Sequence, residues 1–195
     1  MTPGNVGDLS AFIDESGSYR SLDPDTYILA AAIYDSEVSP KVSAAMRGLL
    51  LPGQVKVHWH DEDERRRIKL VNEVAGLEGV GLIVVRNGLP GEKDERRRRL
   101  CGERMYYELQ QRGVQNVVFE SRGPADDRRD RKHVDSLKAS RRITGAFRVD
   151  HLVGRIEPLL WVPDILCGAL SQARTGNDIY IERLGGLVDI ITLEA

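Results

Sequence analysis

Apolar positions along the chain fall into short blocks separated by charged stretches, and the spacing inside each block predicts its local structure. Residues 9–13, Leu-Ser-Ala-Phe-Ile, form a short apolar run stopped by Ser16-Gly17-Ser18, which predicts a buried strand and a tight turn. Residues 27–34 make a second run, so the two are expected to pair as a hairpin. Ser39-Pro40 opens a helix that runs through Leu50, with proline in the first turn and Pro52-Gly53 closing it. A third short strand is expected over residues 55–59. From Asp61 the period changes: Ile68, Val71, Val74 and Ala75 share one stripe of a long amphipathic helix.

The second half repeats the alternation. Residues 79–85 predict a strand, and residues 91–112 a helix that is strongly charged at first and then carries Leu100, Tyr107 and Leu109. Residues 114–119 predict a strand ending in Glu120. Residues 124–142 read as a charged helix with only Val134, Leu137 and Ala139 as apolar marks, which predicts weak packing and mobility. Residues 147–153 return to strand character, and residues 163–173 predict a helix with Pro163 at its start and Thr175-Gly176-Asn177-Asp178 at its end. The tail over residues 179–193 is apolar enough to pack, but its pattern does not say where.

A hairpin followed by strands alternating with helices predicts an α/β fold with a mixed sheet covered by helices on both faces, in three layers. At 195 residues, against roughly 150 per domain, one domain spanning 1–195 is expected, with the placement of 177–195 left open. A hydrophobic fraction of 41% fills such a core and excludes global disorder. No apolar run approaches the roughly 20 residues of a membrane span. The opening MTPGNVGDLS has neither the basic nor the apolar region of a signal peptide, so a cytoplasmic protein is expected. Cys101 and Cys167 lie far apart in helical patterns and read as small core residues rather than a disulfide or zinc site. Phosphate-cradling Gly-rich loops find no support in the sequence.

The net charge of −2 conceals arginines in bunches, at 65–67, 96–99, 128–129 with 131, and 141–142. Acids interleaved at helical spacing predict a solvated, ion-paired face for any single bunch, although the planar guanidinium also suits phosphate. The 128–142 bunches directly follow the Glu120 strand on a helix short of apolar residues. Arg122, Arg128, Arg129, Arg131, Arg141 and Arg142 are therefore the candidate nucleic-acid contacts.

Functional groups of an α/β sheet gather beyond the carboxyl ends of its strands. Asp14-Glu15 ends the first strand, where alternation sends Asp14 to the face of Phe12 and Glu15 to the face of Ile13. Glu120 stands in the same relation to Val117-Val118-Phe119, with an ion pair to Arg122 as its plainer reading. Asp164 follows Pro163 in the first turn of a helix, where the dipole and unpaired backbone N–H groups favour an acid in any case. Taken together, Asp14, Glu120 and Asp164 are the hard oxygen donors that Mg²⁺ or Mn²⁺ requires. Two such ions about 3.5–4 Å apart clamp both oxygens of a phosphodiester displacement. In His58-Trp59-His60-Asp61, a strand would turn both histidines to one face, as a proton shuttle or metal ligands. His133 and His151 carry no such signal.

Four segments carry a family resemblance. These are Phe12-Ile13-Asp14-Glu15-Ser16-Gly17, Lys56-Val57-His58-Trp59, Glu120 after an apolar strand, and Asp164-Ile165-Leu166-Cys167-Gly168 in a late helix. In that order they resemble the pattern of the family called domain of unknown function 3800, a branch of the RNase H-like superfamily. The similarity spans nearly the whole chain, and Asp-Glu-Ser-Gly is its specific part. The chain departs from the pattern at Pro163, where the family usually has Ala, and at His58, where it often carries an acid and a Lys. The resemblance implies an RNase H-like fold and a metal-dependent nuclease centre built from Asp14, Glu120 and Asp164, completed by Glu15 or His58.

The function expected is thus a Mg²⁺- or Mn²⁺-dependent phosphodiesterase acting on DNA or RNA. A PIN-like nuclease, also an α/β domain with clustered acids, is disfavoured by the early hairpin. The alternative from another class is a catalytically inert nucleic-acid- or protein-binding domain whose acids merely end strands and cap a helix.

Overall fold

The computed structural model describes residues 8–17 and 21–195. The two N-terminal apolar runs form the centre of the sheet. β1 (Ser10–Gly17) and β2 (Thr26–Tyr34) pair antiparallel, with Ser10 opposite Tyr34 and Gly17 opposite Tyr27. Ser18, the last residue of the expected turn, lies outside the described residues. Every position of β2 is buried, as a strand covered on both faces requires. β3 (Val80–Asn87) continues antiparallel from β2. On the other side of β1 lie β4 (Asn116–Glu120) and β5 (Arg148–Leu152), both parallel to it.

Residues 179–193, which the sequence left unplaced, form a short helix and a sixth strand, β6 (Val188–Leu193), parallel to β3 at the sheet edge. The order is β5-β4-β1-β2-β3-β6. β2 alone runs against the other five, so the sheet is mixed as expected.

Alternation along the strands divides the core into two layers. Phe12, Ile28, Ala30 and Ile83 face α1 (Ser39–Gly48), α2 (Glu64–Ala75), α5 (Trp161–Arg174) and α6 (Ile179–Leu184). Ala11, Ile13, Leu29 and Leu82 face α3 (Asp94–Gln111) and α4 (Pro124–Ala139). The helix ends follow local chemistry: Pro40 sits in the first turn of α1, and the Asp63 carboxylate accepts the Arg66 N–H at the start of α2.

Three expectations are corrected. Residues 55–59 are not a strand: the segment is extended only as far as His58 and then makes a 3₁₀ turn, Trp59–Asp61. Its alternation is real, since Val57 and Trp59 are buried on either side of exposed His58, but it packs into the α5 layer instead of joining a ladder. α4 is not weakly held. Its inner face carries Asp127 and Asp130 beside Val134 and Leu137, all four buried; the Ser121 hydroxyl and the Arg122 N–H hold Asp127 and Arg98 holds Asp130, so polar and ionic contacts add to the few apolar ones. The 96–99 bunch is not simply a solvated face either, because Arg97 and Arg98 are buried.

α5 is buried along nearly its whole length and crosses β1 and β2. Gly168 makes that approach possible: a Cβ there would run into the indole of Trp59, which stands edge-on to Tyr180 at 5.0 Å between ring centres. Gly168→Ala is therefore expected to cost about 1–3 kcal/mol by overpacking. Thermal unfolding would show this as a Tm drop of about 2–4 °C per kcal/mol at this chain length.

Candidate active site

The parallel register of β1 and β4 sets Phe12 beside Val118 and Ile13 beside Phe119. One step further, the same register brings Asp14 and Glu120 side by side on the face toward α5. Asp164, in the first turn of α5, closes the group from above and is itself buried. Three acids spread over 150 residues of sequence thus line one cleft of about 630 Å³ at the carboxyl edge of the sheet, together with Lys56, His58 and His60.

Each acid has its own environment. The Asp14 Oδ1 accepts the Glu15 N–H at 2.8 Å. Burial, followed by the charges of Asp164 and Glu120, pushes the Asp14 carboxyl up to about 8; the Glu15 N–H and Lys56 pull the other way without prevailing. Glu120 does not meet Arg122. Both its oxygens accept from the Lys56 ammonium, at 2.6 and 2.7 Å, and its carboxylate rests against Gly154, where a Cβ would collide with it. The Asp164 Oδ2 accepts the Trp59 backbone N–H at 2.8 Å and lies 3.1 Å from Nδ1 of His58. That hydrogen bond raises the His58 pKa, against the opposing effect of its partial burial. His58 and His60 both reach the cleft, but from an extended segment and a turn rather than one strand face, with ring centres 6.5 Å apart.

Glu15 follows the alternation to the opposite face. Its Oε2 accepts from Arg98 Nε at 2.6 Å, and Arg122 Nε lies 3.2 Å from its Oε1. Arg98 also holds Asp130, which lies 3.1 Å from Nε2 of His151. Burial works against the charge of Asp130, but His151 and Arg98 overcome it and hold its pKa down at about 2. An ionic network thus backs the cleft on the far side of β1. Lys56 stood out in the sequence only within a resemblance segment and Arg98 only within an arginine bunch, and Asp130 and His151 carried no functional signal, because each is defined by a partner remote in the chain.

The donor set of Asp14, Glu120 and Asp164 is anionic oxygen only, partly buried and open to water on one side, which fits a hard divalent cation. Among the described residues no three His, Cys, Asp or Glu groups already stand around a common ion position. Protein donors hold the oxygens instead: Lys56 on Glu120, and Trp59 with His58 on Asp164.

The candidate arginines divide by position. Arg122 lines the cleft and is engaged with Glu15. Arg128, Arg129, Arg131, Arg141 and Arg142 are exposed, Arg129 pairing with Asp126 and Arg142 with Glu103. No helix among the described residues is long and apolar enough to cross a membrane.

No protein-family model and no curated protein matches the chain. Solved structures do. Ribonuclease H2 from Pyrococcus horikoshii OT3 superposes with a TM-score of 0.54 at 15% identity, over 93% of this chain and 81% of that one. RNase HII from Archaeoglobus fulgidus, solved as a PCNA:RNase HII complex, gives 0.51 at 16% identity, over 90% and 76%. Bst-RNase HIII, solved in complex with Mn²⁺, gives 0.54 at 14% identity; this chain covers 54% of its length, with 92% of its own residues matched. The fold is RNase H-like, as the resemblance implied.

Proposed function

We propose that this chain is a divalent-metal-dependent nuclease or phosphodiesterase acting on DNA or RNA, of the branch called domain of unknown function 3800. The observation that carries the reading is the meeting of Asp14, Glu120 and Asp164 in one cleft at the carboxyl edge of an RNase H-like sheet. Side chains that repel one another while partly buried are stabilised by compensating positive charge, of which Lys56 supplies one.

In this reading Asp14, Glu120 and Asp164 hold Mg²⁺ or Mn²⁺. The bound ion would supply an activated water and charge stabilisation at the phosphate. The chain's own residues orient the acids. Trp59 N–H fixes the Asp164 oxygen, Gly154 leaves room for the Glu120 carboxylate, and the Glu15 N–H fixes Asp14. His58 completes the centre as a proton donor and acceptor at the cleft mouth, its side chain being 46% exposed. Glu15 also lines the cleft, with its carboxylate oxygens engaged by Arg98 and Arg122 rather than left open to the ion.

The alternative, an inert binding domain, draws support from the protein donors that already hold Glu120 and Asp164. Cleavage assays on single-stranded, duplex and hybrid substrates with Mg²⁺ or Mn²⁺ separate the two. Activity lost in Asp164→Asn upholds the nuclease; no cleavage with any metal upholds the inert domain, as a nucleic-acid-binding one if it binds at low salt and as a protein-binding one if it does not.

Arg122, which lines the cleft, and the exposed arginines of α4 and the turn after it form the proposed substrate surface. If they contact phosphate, single-strand affinity falls with salt at a log–log slope of roughly −0.7 per contact. Arg128→Ala/Arg131→Ala in an Asp14→Asn background is expected to flatten that slope by about two contacts. An unchanged slope removes α4 from the surface.

A further inference from the structure

Lys56 is the residue that the cleft's electrostatics single out. It sits in the extended segment before the 3₁₀ turn, with its side chain 19% exposed, and its ammonium bridges both oxygens of Glu120 at 2.6 and 2.7 Å. Its charge is also felt by Asp14 and by His58, so it lies within the cluster and not at its rim. Glu120 has little freedom to turn elsewhere, because Gly154 closes on its carboxylate from behind. A carboxylate bound through both oxygens by an ammonium is already neutralised.

The charge count points the same way. With Asp14, Glu120 and Asp164 ionised, one divalent ion and Lys56 together bring the cleft to neutrality. A second divalent ion would leave two surplus positive charges, and a single phosphodiester would remove only one of them. A partly buried site does not hold such an excess without cost.

We propose, resting on the nuclease reading above and narrowing its three ion-holding acids to two, that Lys56 stands in for a second cation: its ammonium takes the place a second metal ion would hold on Glu120, and the centre binds one divalent ion through Asp14 and Asp164. The lysine is then a fixed charge beside the reacting phosphate, where a two-ion centre would use an exchangeable one. Removing the ammonium while keeping the stem opens Glu120 to a second ion.

Mn²⁺ titration of the purified chain, followed by the electron paramagnetic resonance signal of free Mn²⁺ and by calorimetry, tests this without relying on activity. The expected stoichiometry is one ion per chain for the wild type, one for Lys56→Arg, and two for Lys56→Met. Asp164→Asn should bind none. Lys56→Gln replaces Lys56→Met if circular dichroism shows that the methionine variant does not fold. Two ions in the wild type, lost in Asp164→Asn, would overturn the role of Lys56 and leave the nuclease reading intact. A single ion in Lys56→Met would overturn it equally. No ion in the wild type would sink the metal centre, and this proposal with it.

Discussion

Asp14→Asn is expected to abolish phosphodiester hydrolysis and, in the absence of metal, to make the protein more stable at pH 8 than the wild type. The first effect follows from the position of Asp14 between Glu120 and Asp164: loss of about 4 kcal/mol of metal-centred stabilisation is about a 10³-fold loss in rate. The second follows from linkage. The folded-state pKa of Asp14 is raised to about 8 from an unfolded value of 3.8, so the folded protein binds the proton more tightly. The contribution of this group is fully present below pH 3.8 and is lost as pH rises toward 8. Asparagine carries no charge at any of these values and does not share the loss. Allowing for relaxation and the partial exposure of the site, a difference of roughly 2 kcal/mol, or about 4–8 °C in Tm, is expected at pH 8 and none at pH 4. Metal should reverse the order at pH 8 by stabilising the wild type alone. Equal melting curves for the two proteins across this range, in chelator, would contradict the charge repulsion assigned to Asp14.

The other large effect lies behind the sheet. Arg98→Met removes the cation shared by Glu15 and Asp130 and leaves these carboxylates, with side-chain exposures of 20% and 5%, to Arg122 and His151. Breaking one partner out of a buried ionic group costs about 3–5 kcal/mol, far more than an exposed pair. Chemical denaturation at pH 7 should register that loss. Replacing Glu15 and Asp130 by Gln and Asn in the same protein should recover most of it, since the stranded charges are then gone. The sign with pH is opposite to that at Asp14. Asp130 titrates in the fold at about 2 against 3.8 unfolded, so its contribution is present above pH 3.8 and is lost as pH falls toward 2. The gap between wild type and Arg98→Met should therefore narrow in acid. A gap that is constant with pH would mean that lost packing of the arginine stem, and not charge, accounts for the change.

The division between Asp14 and Glu15 was legible in the sequence, because strand alternation alone decides which neighbour faces which layer. The gathering of Asp14, Glu120 and Asp164 was legible from their places at strand ends and a helix start. Their immediate partners were not. Lys56 lies 64 residues from Glu120, and Trp59 lies 105 from Asp164; nothing local marks either contact. Residues 55–59 showed the period of a strand because they bury every second side chain, yet that period is the same whether the buried side meets a sheet or a helix. α4 misled for a related reason. A helix that buries Asp127 and Asp130 has the composition of a solvated one, and for Asp130 the distinguishing partners, Arg98 and His151, lie 32 and 21 residues away. β6 carried a clear apolar signal, but an edge strand's place depends on which edge is left open by the others.

The order of the strands also has a kinetic side. β1, β2 and β3 follow one another along the chain as an antiparallel meander, whereas Glu120 lies 106 residues beyond Asp14 and Asp164 a further 44. If that meander pairs first, the three carboxylates meet only once β4 and α5 have docked on it, and their mutual repulsion then burdens none of the earlier pairing steps. A penalty confined to the completed structure falls on the rate of unfolding and leaves the rate of folding untouched. The chain would then reach its compact form unhindered by its own site, and an ion bound there as proposed would act afterwards as a brake on its opening.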